Sequence, residues 1–350
     1  MAVGVQKVLL AAPRGFCAGV EMAIKALSWM VRVFEPPVYC YHEIVHNQVV
    51  VDRFRQLGVV FVDDVSEVPA GKPLMLSAHG TAPDVVASAR ANGGIVVNAV
   101  CPLVTKVHHE LKVRAGKGYT VLYVGHAGHD EAVGTMAVAP SSVRLVEHED
   151  DVASLDLAED TPVALLAQTT LSQHDWRGVM DAAVDRFPQL WLPSRSDLCF
   201  ATTNRQDALA EIAHRADAVV VIGSANSSNT VALAKVAEAG GCARVVRVNS
   251  AEEVPRDLSG IVGVTAGASA PEELVEAVLA ALDPADGVEV VTVTTEDEYF
   301  PPPPELRRLL DSLMAALYGG SAGGAGGGGA LLADDRSVAA SDVLSSLAPA

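Results

Sequence analysis

The stretch Val8-Leu9-Leu10-Ala11-Ala12-Pro13-Arg14-Gly15-Phe16-Cys17-Ala18-Gly19-Val20 decides how this chain is read. Val8 to Ala12 is a short apolar run and reads as a buried strand. Glu21-Met22-Ala23-Ile24-Lys25-Ala26-Leu27 reads as a helix. Cys17 therefore sits in a glycine-flanked turn at a helix start. That position lowers a thiol's pKa and favours it as an anionic ligand or a nucleophile. An inert buried cysteine fits the same stretch, so the rest of the chain must decide.

The strand–turn–helix rhythm recurs. Leu74-Ser77 precedes Ala78-His79-Gly80, and Val121-Val124 precedes Gly125-His126-Ala127-Gly128-His129. Val163-Ala167 precedes Gln168-Thr169-Thr170. Ala218-Ile222 precedes Gly223 to Asn229, and Ile261-Val264 precedes Thr265 to Ser269. Helical stretches lie between them, such as 83–91, 175–187, 205–216, 230–239 and 271–281. Alternating strands and helices define an α/β class with parallel sheets, in which ligands bind beyond the strand carboxyl ends. The rhythm divides into three related α/β modules, at 1–101, 102–196 and 197–284. A segment at 285–318 is expected to pack on the core. Residues 319–350 open with Gly, Ala and Ser and read as a disordered, non-catalytic tail.

The chain has 350 residues and a formal charge of −18. Phosphate neutralisation needs clustered Lys and Arg, so nucleic acid is not an expected partner. No run of 18 apolar residues occurs, so no membrane span is expected either. The five cysteines are odd in number and far apart. They do not read as a disulfide framework, and a cytoplasmic location is expected.

Cys101 is followed by Pro102, at the favoured first helical position, and Cys199 opens the helix that follows it. Three cysteines thus sit at helix starts, spaced by about one module length. Three converging thiolates suit zinc or an iron–sulfur cluster with one open position. Cys40 and Cys242 lie in strand-like segments and read as small core hydrophobes.

His46, His79, His126 and His129 lie in turns between elements. His129 and Glu131 are two residues apart; in an extended turn both would face one site, where a carboxylic acid can deliver protons. Ser227-Ser228-Asn229, Thr169-Thr170 and Ser269 place small polar groups at helix starts. That is the composition of an anion pocket, although helix capping alone explains any one of them.

Together these motifs resemble the 4-hydroxy-3-methylbut-2-enyl diphosphate reductase family. The matching stretches are Pro13–Val20, His42–Asn47, Ser77–Gly80, Cys101–His108, Gly125–Glu131 and Gln168–Ser172. They continue with Cys199–Gln206, Asn226–Asn229 and Thr265–Pro271. The resemblance implies three modules in a pseudo-threefold arrangement around a central [4Fe–4S] cluster held by Cys17, Cys101 and Cys199. It implies Glu131 as the proton-delivering carboxyl, supported by His129 and Thr169. His46, His79, His129, Ser227, Ser228, Asn229 and Ser269 match the diphosphate-binding set. The substrate would be an allylic diphosphate, and the electrons would come from a ferredoxin or flavodoxin. An aconitase-type hydro-lyase and a non-enzymatic metal-bearing phosphate-binding module are the other readings of the same thiols and turns.

Overall fold

The computed structural model describes residues 4–318 and 331–347. Along the chain the elements begin with β1 (Val5–Ala12), α1 (Ala18–Val33), β2 (Val38–Tyr41), α2 (Gln48–Gln56) and β3 (Val59–Val62). They continue with β4 (Leu74–Leu76), α3 (Pro83–Ala91), β5 (Val96–Asn98), α4 (Pro102–Gly116), β6 (Thr120–Val124) and α5 (Asp130–Met136). Next come β7 (Val143–Val146), α6 (Glu149–Ser154), β8 (Val163–Ala167), α7 (Gln173–Arg186), α8 (Phe200–Ala213) and β9 (Ala218–Ile222). The last are α9 (Ser228–Ala239), β10 (Val245–Val248), β11 (Gly260–Ala266), α10 (Glu272–Leu282), β12 (Val288–Thr292), α11 (Pro304–Tyr318) and α12 (Ala340–Ser345).

The strands form three sheets, and every strand pairing is parallel. Their orders are β10-β9-β11-β1-β12, β3-β2-β4-β5 and β7-β6-β8. This is the α/β class that the strand rhythm predicts. One unit comprises Met1–Cys17, His46–Gln48 and Leu103–Asp297, and holds the five- and three-stranded sheets. A second comprises Ala18–Val45, Val49–Pro102 and Glu298–Ala350, and holds the four-stranded sheet.

β1 does not join β2 to β5, the strands that follow it within 1–101. It lies between β11 and β12, with Val8 opposite Val262 on one side and Val288 on the other. The reason is visible in its faces. Val8 and Leu10 pack with Val220, Val264 and Val278, while Leu9 and Ala11 pack with Leu209, Ile212 and Val221. A strand apolar on both faces needs helices above and below and neighbours on both edges.

The three-stranded sheet has the same two-sided burial. Leu122 and Leu165 face Trp176 and Val179 of α7, whereas Val121 and Leu166 face Val107 and Leu111 of α4. In the second unit Leu74 and Leu76 pack with Val62 and Ala89.

Of the tail predicted to be disordered, 319–330 lies outside the described residues. Residues 331–347 are ordered, and α12 packs on α1. The sparse apolar positions Ala340, Leu344 and Leu347 explain the order: all three are buried.

Candidate active site

Cys17 follows β1 in a turn whose backbone is tied to the loop after β11. The Gly15 amide donates to Ala266 O at 3.3 Å, and the Cys17 amide donates to Ala268 O at 3.1 Å. Gly15 has φ +67°, and a Cβ there would stand 3.2 Å from Ala270 O, so the turn requires glycine.

Cys199 is the N-cap of α8. Its Sγ accepts from the Thr202 amide at 3.3 Å and lies 3.0 Å from Thr202 Oγ1, while its own amide donates to Thr169 O at 3.0 Å. Both thiols therefore lie at helix starts, as the sequence predicts. Cys40 and Cys242 are buried in the core, and burial pushes the Cys40 thiol up. Cys101 belongs to the second unit, where its amide donates to Ala78 O at 3.0 Å and Pro102 begins α4 after it.

Arg205 joins the two cysteine turns of the first unit. It lies on α8, six residues past Cys199, and is fully buried. Its Nε and Nη2 donate to Gly15 O at 3.1 and 2.8 Å, and Nη2 reaches Phe16 O at 3.3 Å. Nη1 donates to Ala201 O at 2.8 Å and to both Glu296 carboxylate oxygens at 2.9 and 3.1 Å. Guanidinium geometry suits this fork of acceptors, and Glu296 neutralises the charge.

Glu131 is in the first turn of α5 and only 2 % exposed. Its Oε1 accepts from the Thr169 amide at 2.7 Å and its Oε2 from Thr169 Oγ1 at 2.9 Å. Burial raises its pKa to about 7; the Thr169 bonds oppose the rise and nearby Asp197 adds to it. A carboxyl poised near neutrality can hold and release a proton. His129 is the N-cap of this helix, its Nδ1 accepting from the Glu131 amide at 3.1 Å. The pair thus sits in a helix's first turn, not in the extended turn expected from spacing. Burial, then the neighbouring His46, lower the His129 pKa to about 4, although Asp130 works against this. The His46 and His129 rings meet edge-on at 5.2 Å.

The hydroxyl turns gather in the same unit. Ser227 caps α9 by accepting from the Thr230 amide at 3.3 Å. Ser228 Oγ donates to Thr170 O at 3.3 Å, and Ser269 Oγ donates to His46 O at 2.9 Å. Asn229 is buried with both ends of its amide engaged: Oδ1 accepts from the Ala268 amide at 3.0 Å and Nδ2 donates to Thr202 Oγ1 at 3.4 Å. It braces the loops beside Cys17 and Cys199. His79 belongs to the second unit, in the turn after β4, where Gly80 takes φ +94°.

Sequence reading passed over two residues. Arg205 was one, and Gln168 is the other. Gln168 is fully buried; its Oε1 accepts from the His126 amide at 3.0 Å, and its Nε2 donates to Thr170 Oγ1 and Ser228 Oγ, both at 3.0 Å. A polar residue closing an otherwise wholly apolar strand was the available signal.

The donor chemistry fits a metal centre. The Cys199 thiol's desolvated surroundings push it up to about 12, and neighbouring Cys17 adds to the push. Two thiolates this close repel unless a cation sits with them, and thiol ligands are deprotonated by such a centre. The Thr202 amide already donates to Sγ of Cys199, the kind of outer contact that orients and tunes a ligand.

The chain is an α/β protein that carries cysteines at helix starts, a buried carboxyl whose pKa is raised towards neutrality, and hydroxyl-bearing helix starts. Residues 8–283 match the LytB protein family, and the chain belongs to that family. It is 46% identical over 293 residues to a protein of Beijerinckia indica subsp. indica named 4-hydroxy-3-methylbut-2-enyl diphosphate reductase, covering 82% of this chain and 92% of that one. A Rhodopirellula baltica protein of the same name is 47% identical over 276 residues, covering 78% of this chain and 86% of that one. The solved E-1-hydroxy-2-methyl-but-2-enyl-4-diphosphate reductase from Plasmodium falciparum superposes with a TM-score of 0.85 at 29% identity, covering 88% of this chain and 99% of that one.

Proposed function

We propose that this chain reduces (E)-4-hydroxy-3-methylbut-2-enyl diphosphate to isopentenyl and dimethylallyl diphosphate, the terminal step of the non-mevalonate route to isoprenoids. The observation that carries the reading is the Glu131–Thr169 pair, buried in the same unit as Cys17 and Cys199, in a LytB-family chain. The reaction consumes two electrons and two protons and releases the C4 hydroxyl as water.

A [4Fe–4S] cluster is the cofactor, with Cys17, Cys101 and Cys199 as the ligands that the family resemblance implies. When bound, it supplies the electrons and an open iron that acts as a Lewis acid on the hydroxyl. The chain's own groups do the rest. Glu131 holds a proton on a carboxyl oxygen near neutral pH, and Thr169 fixes that carboxyl's orientation through both oxygens. His129, neutral above pH of about 4, accepts from the Glu131 amide with Nδ1 at the helix start, which places its proton on Nε2. His46, His79, His129, Ser227, Ser228, Asn229 and Ser269 are the diphosphate set that the family resemblance implies. Amides of helix starts supply much of its pull on the anion, so a strongly acidic protein can hold it.

A ferredoxin or flavodoxin is the electron donor. The five free thiols suit a reducing cytoplasm, and no helix among the described residues is long and apolar enough to cross a membrane.

Anaerobic reconstitution with iron and sulfide tests the reading. A brown protein that turns over the allylic diphosphate with reduced viologen is expected, and iron binding without turnover overturns it. Cys199→Ser is expected to lose most of its iron, whereas Cys242→Ser, whose thiol donates to Arg244 O in the core, keeps it. Equal iron in the two variants contradicts the ligand set.

Gln168→Leu removes the group that orients Ser228 and leaves its partners unpaired. A KM increase of about five- to tenfold, with kcat nearly unchanged, is expected from the loss of roughly one hydrogen bond's worth of substrate binding. Steady-state kinetics on the reconstituted enzyme read it directly.

A further inference from the structure

Residues 331–347 lie beyond the stretch that matches the family, yet they are built onto α1 with specific contacts. Ala340, Leu344 and Leu347 are spaced i, i+4, i+7 and form one apolar face; their exposures are 0%, 8% and 7%. Polar contacts fix the register at both ends of α1. The Ala340 amide donates to Glu21 Oε2 at 2.7 Å, in the first turn of α1. Lys25, itself only 4% exposed, donates to Asp335 O at 2.7 Å. Further on, Arg32 donates to Ser346 Oγ at 3.0 Å and Arg53 to Leu347 O at 2.5 Å. The segment leaves a cavity of about 280 Å³ against α1, lined by Trp29, Arg32, Val338 and Asp342 among others.

We propose that residues 331–347 are a peptide ligand carried by the chain itself, and that their docking groove on α1 works as a latch on the helix that follows Cys17. Residues 319–330 joining the ligand to the body are all Gly, Ala or Ser. A segment of the same chain binds intramolecularly, at an effective concentration of order 1 mM. At that concentration an intrinsic Kd on the order of 100 μM suffices to keep it docked about nine-tenths of the time. Such a contact is strong enough to restrain the first two turns of α1 through Glu21 and Lys25. It is also weak enough for a competing peptide to displace it. The groove selects for a short helix with an apolar i, i+4, i+7 stripe, whose carboxyl end offers a hydroxyl to Arg32 and a carbonyl to Arg53 of α2.

The test uses the full chain. Leu344→Asp puts a charge into the apolar face and releases the latch without touching α1. Amide hydrogen exchange across Ala18–Val33 is expected to quicken about tenfold in this variant. A synthetic peptide of residues 331–347, added in millimolar excess, is expected to restore protection. The same peptide carrying Leu344→Asp is not. Unchanged α1 exchange in the variant overturns the latch. Faster exchange that the wild-type peptide fails to restore overturns the groove as a peptide site. Neither readout depends on iron content or turnover, so failure here leaves the reductase reading standing.

Discussion

Arg205→Met is expected to destabilise the protein by about 3 kcal/mol, at the lower end of what breaking a buried ion pair costs. The guanidinium makes six hydrogen bonds with no exposed surface of its own. Methionine fills the volume but leaves the carbonyls of Gly15, Phe16 and Ala201 without this donor and takes from the Glu296 carboxylate its charge partner, leaving it the Asn204 amide. Glu296 is partly exposed, so water recovers some of its loss, which is why the lower end applies. Arg205→Lys keeps the charge but cannot span the fork, and should recover only part of the stability. Arg205→Met combined with Glu296→Gln should be less damaged than the single variant, because the orphaned charge goes with it. Denaturant midpoints under anaerobic conditions check all three. A second measurement separates bracing of the site from general stability. In cofactor-free protein, Cys17 should alkylate about tenfold faster in Arg205→Met, since its turn has lost its anchor. A wild-type midpoint and wild-type alkylation together contradict the role.

The residues just considered show where sequence reading succeeds and stops. The strand–turn–helix around Cys17 was legible because Val8 to Ala12 is apolar throughout and glycines flank the thiol. Cys199 was legible for a similar local reason: it directly precedes a helix that it now caps. Arg205 was not legible, because the turn it anchors offers it backbone carbonyls 189 and 190 positions away, which carry no residue-type signal, and its carboxylate partner Glu296 lies 91 positions on. The sheet to which β1 belongs was hidden for a related reason. Strands buried on both faces all read as near-continuous apolar runs, so nothing in Val8-Leu9-Leu10 prefers β11 and β12 over β4. The His129–Glu131 spacing gave proximity but not conformation, since two residues apart suits an extended turn and a helix's first turn alike. The order of residues 331–347 was legible in principle. Ala340, Leu344 and Leu347 repeat at helical spacing, but three small or medium apolar residues after a glycine-rich stretch are a faint signal.

Glu131→Gln is expected to lower turnover by about 10²- to 10⁴-fold while leaving the fold and iron content intact. Glutamine retains an oxygen to accept the Thr169 amide, and its Nε2 can donate to Thr169 Oγ1, so the buried pair stays satisfied. Only the titratable proton is lost. The pH dependence gives the assignment a sign. Burial raises the Glu131 pKa from 4.5 to about 7 in the folded protein. Between those values the native state keeps a proton that the unfolded chain releases. Unfolding then sheds protons, and stability falls as pH rises through the window. The loss amounts to about 3 kcal/mol by pH 7, and Glu131→Gln should flatten that slope. Turnover follows the same group. The protonated carboxyl is the working form, so kcat should decline as pH rises past about 7. His129, with its pKa near 4, is already neutral across this range and adds no limb of its own. Unfolding curves from pH 5 to 8 and a kcat profile over the same range measure both effects. A variant with wild-type turnover, or one that keeps the wild-type stability slope, places the proton elsewhere than on Glu131.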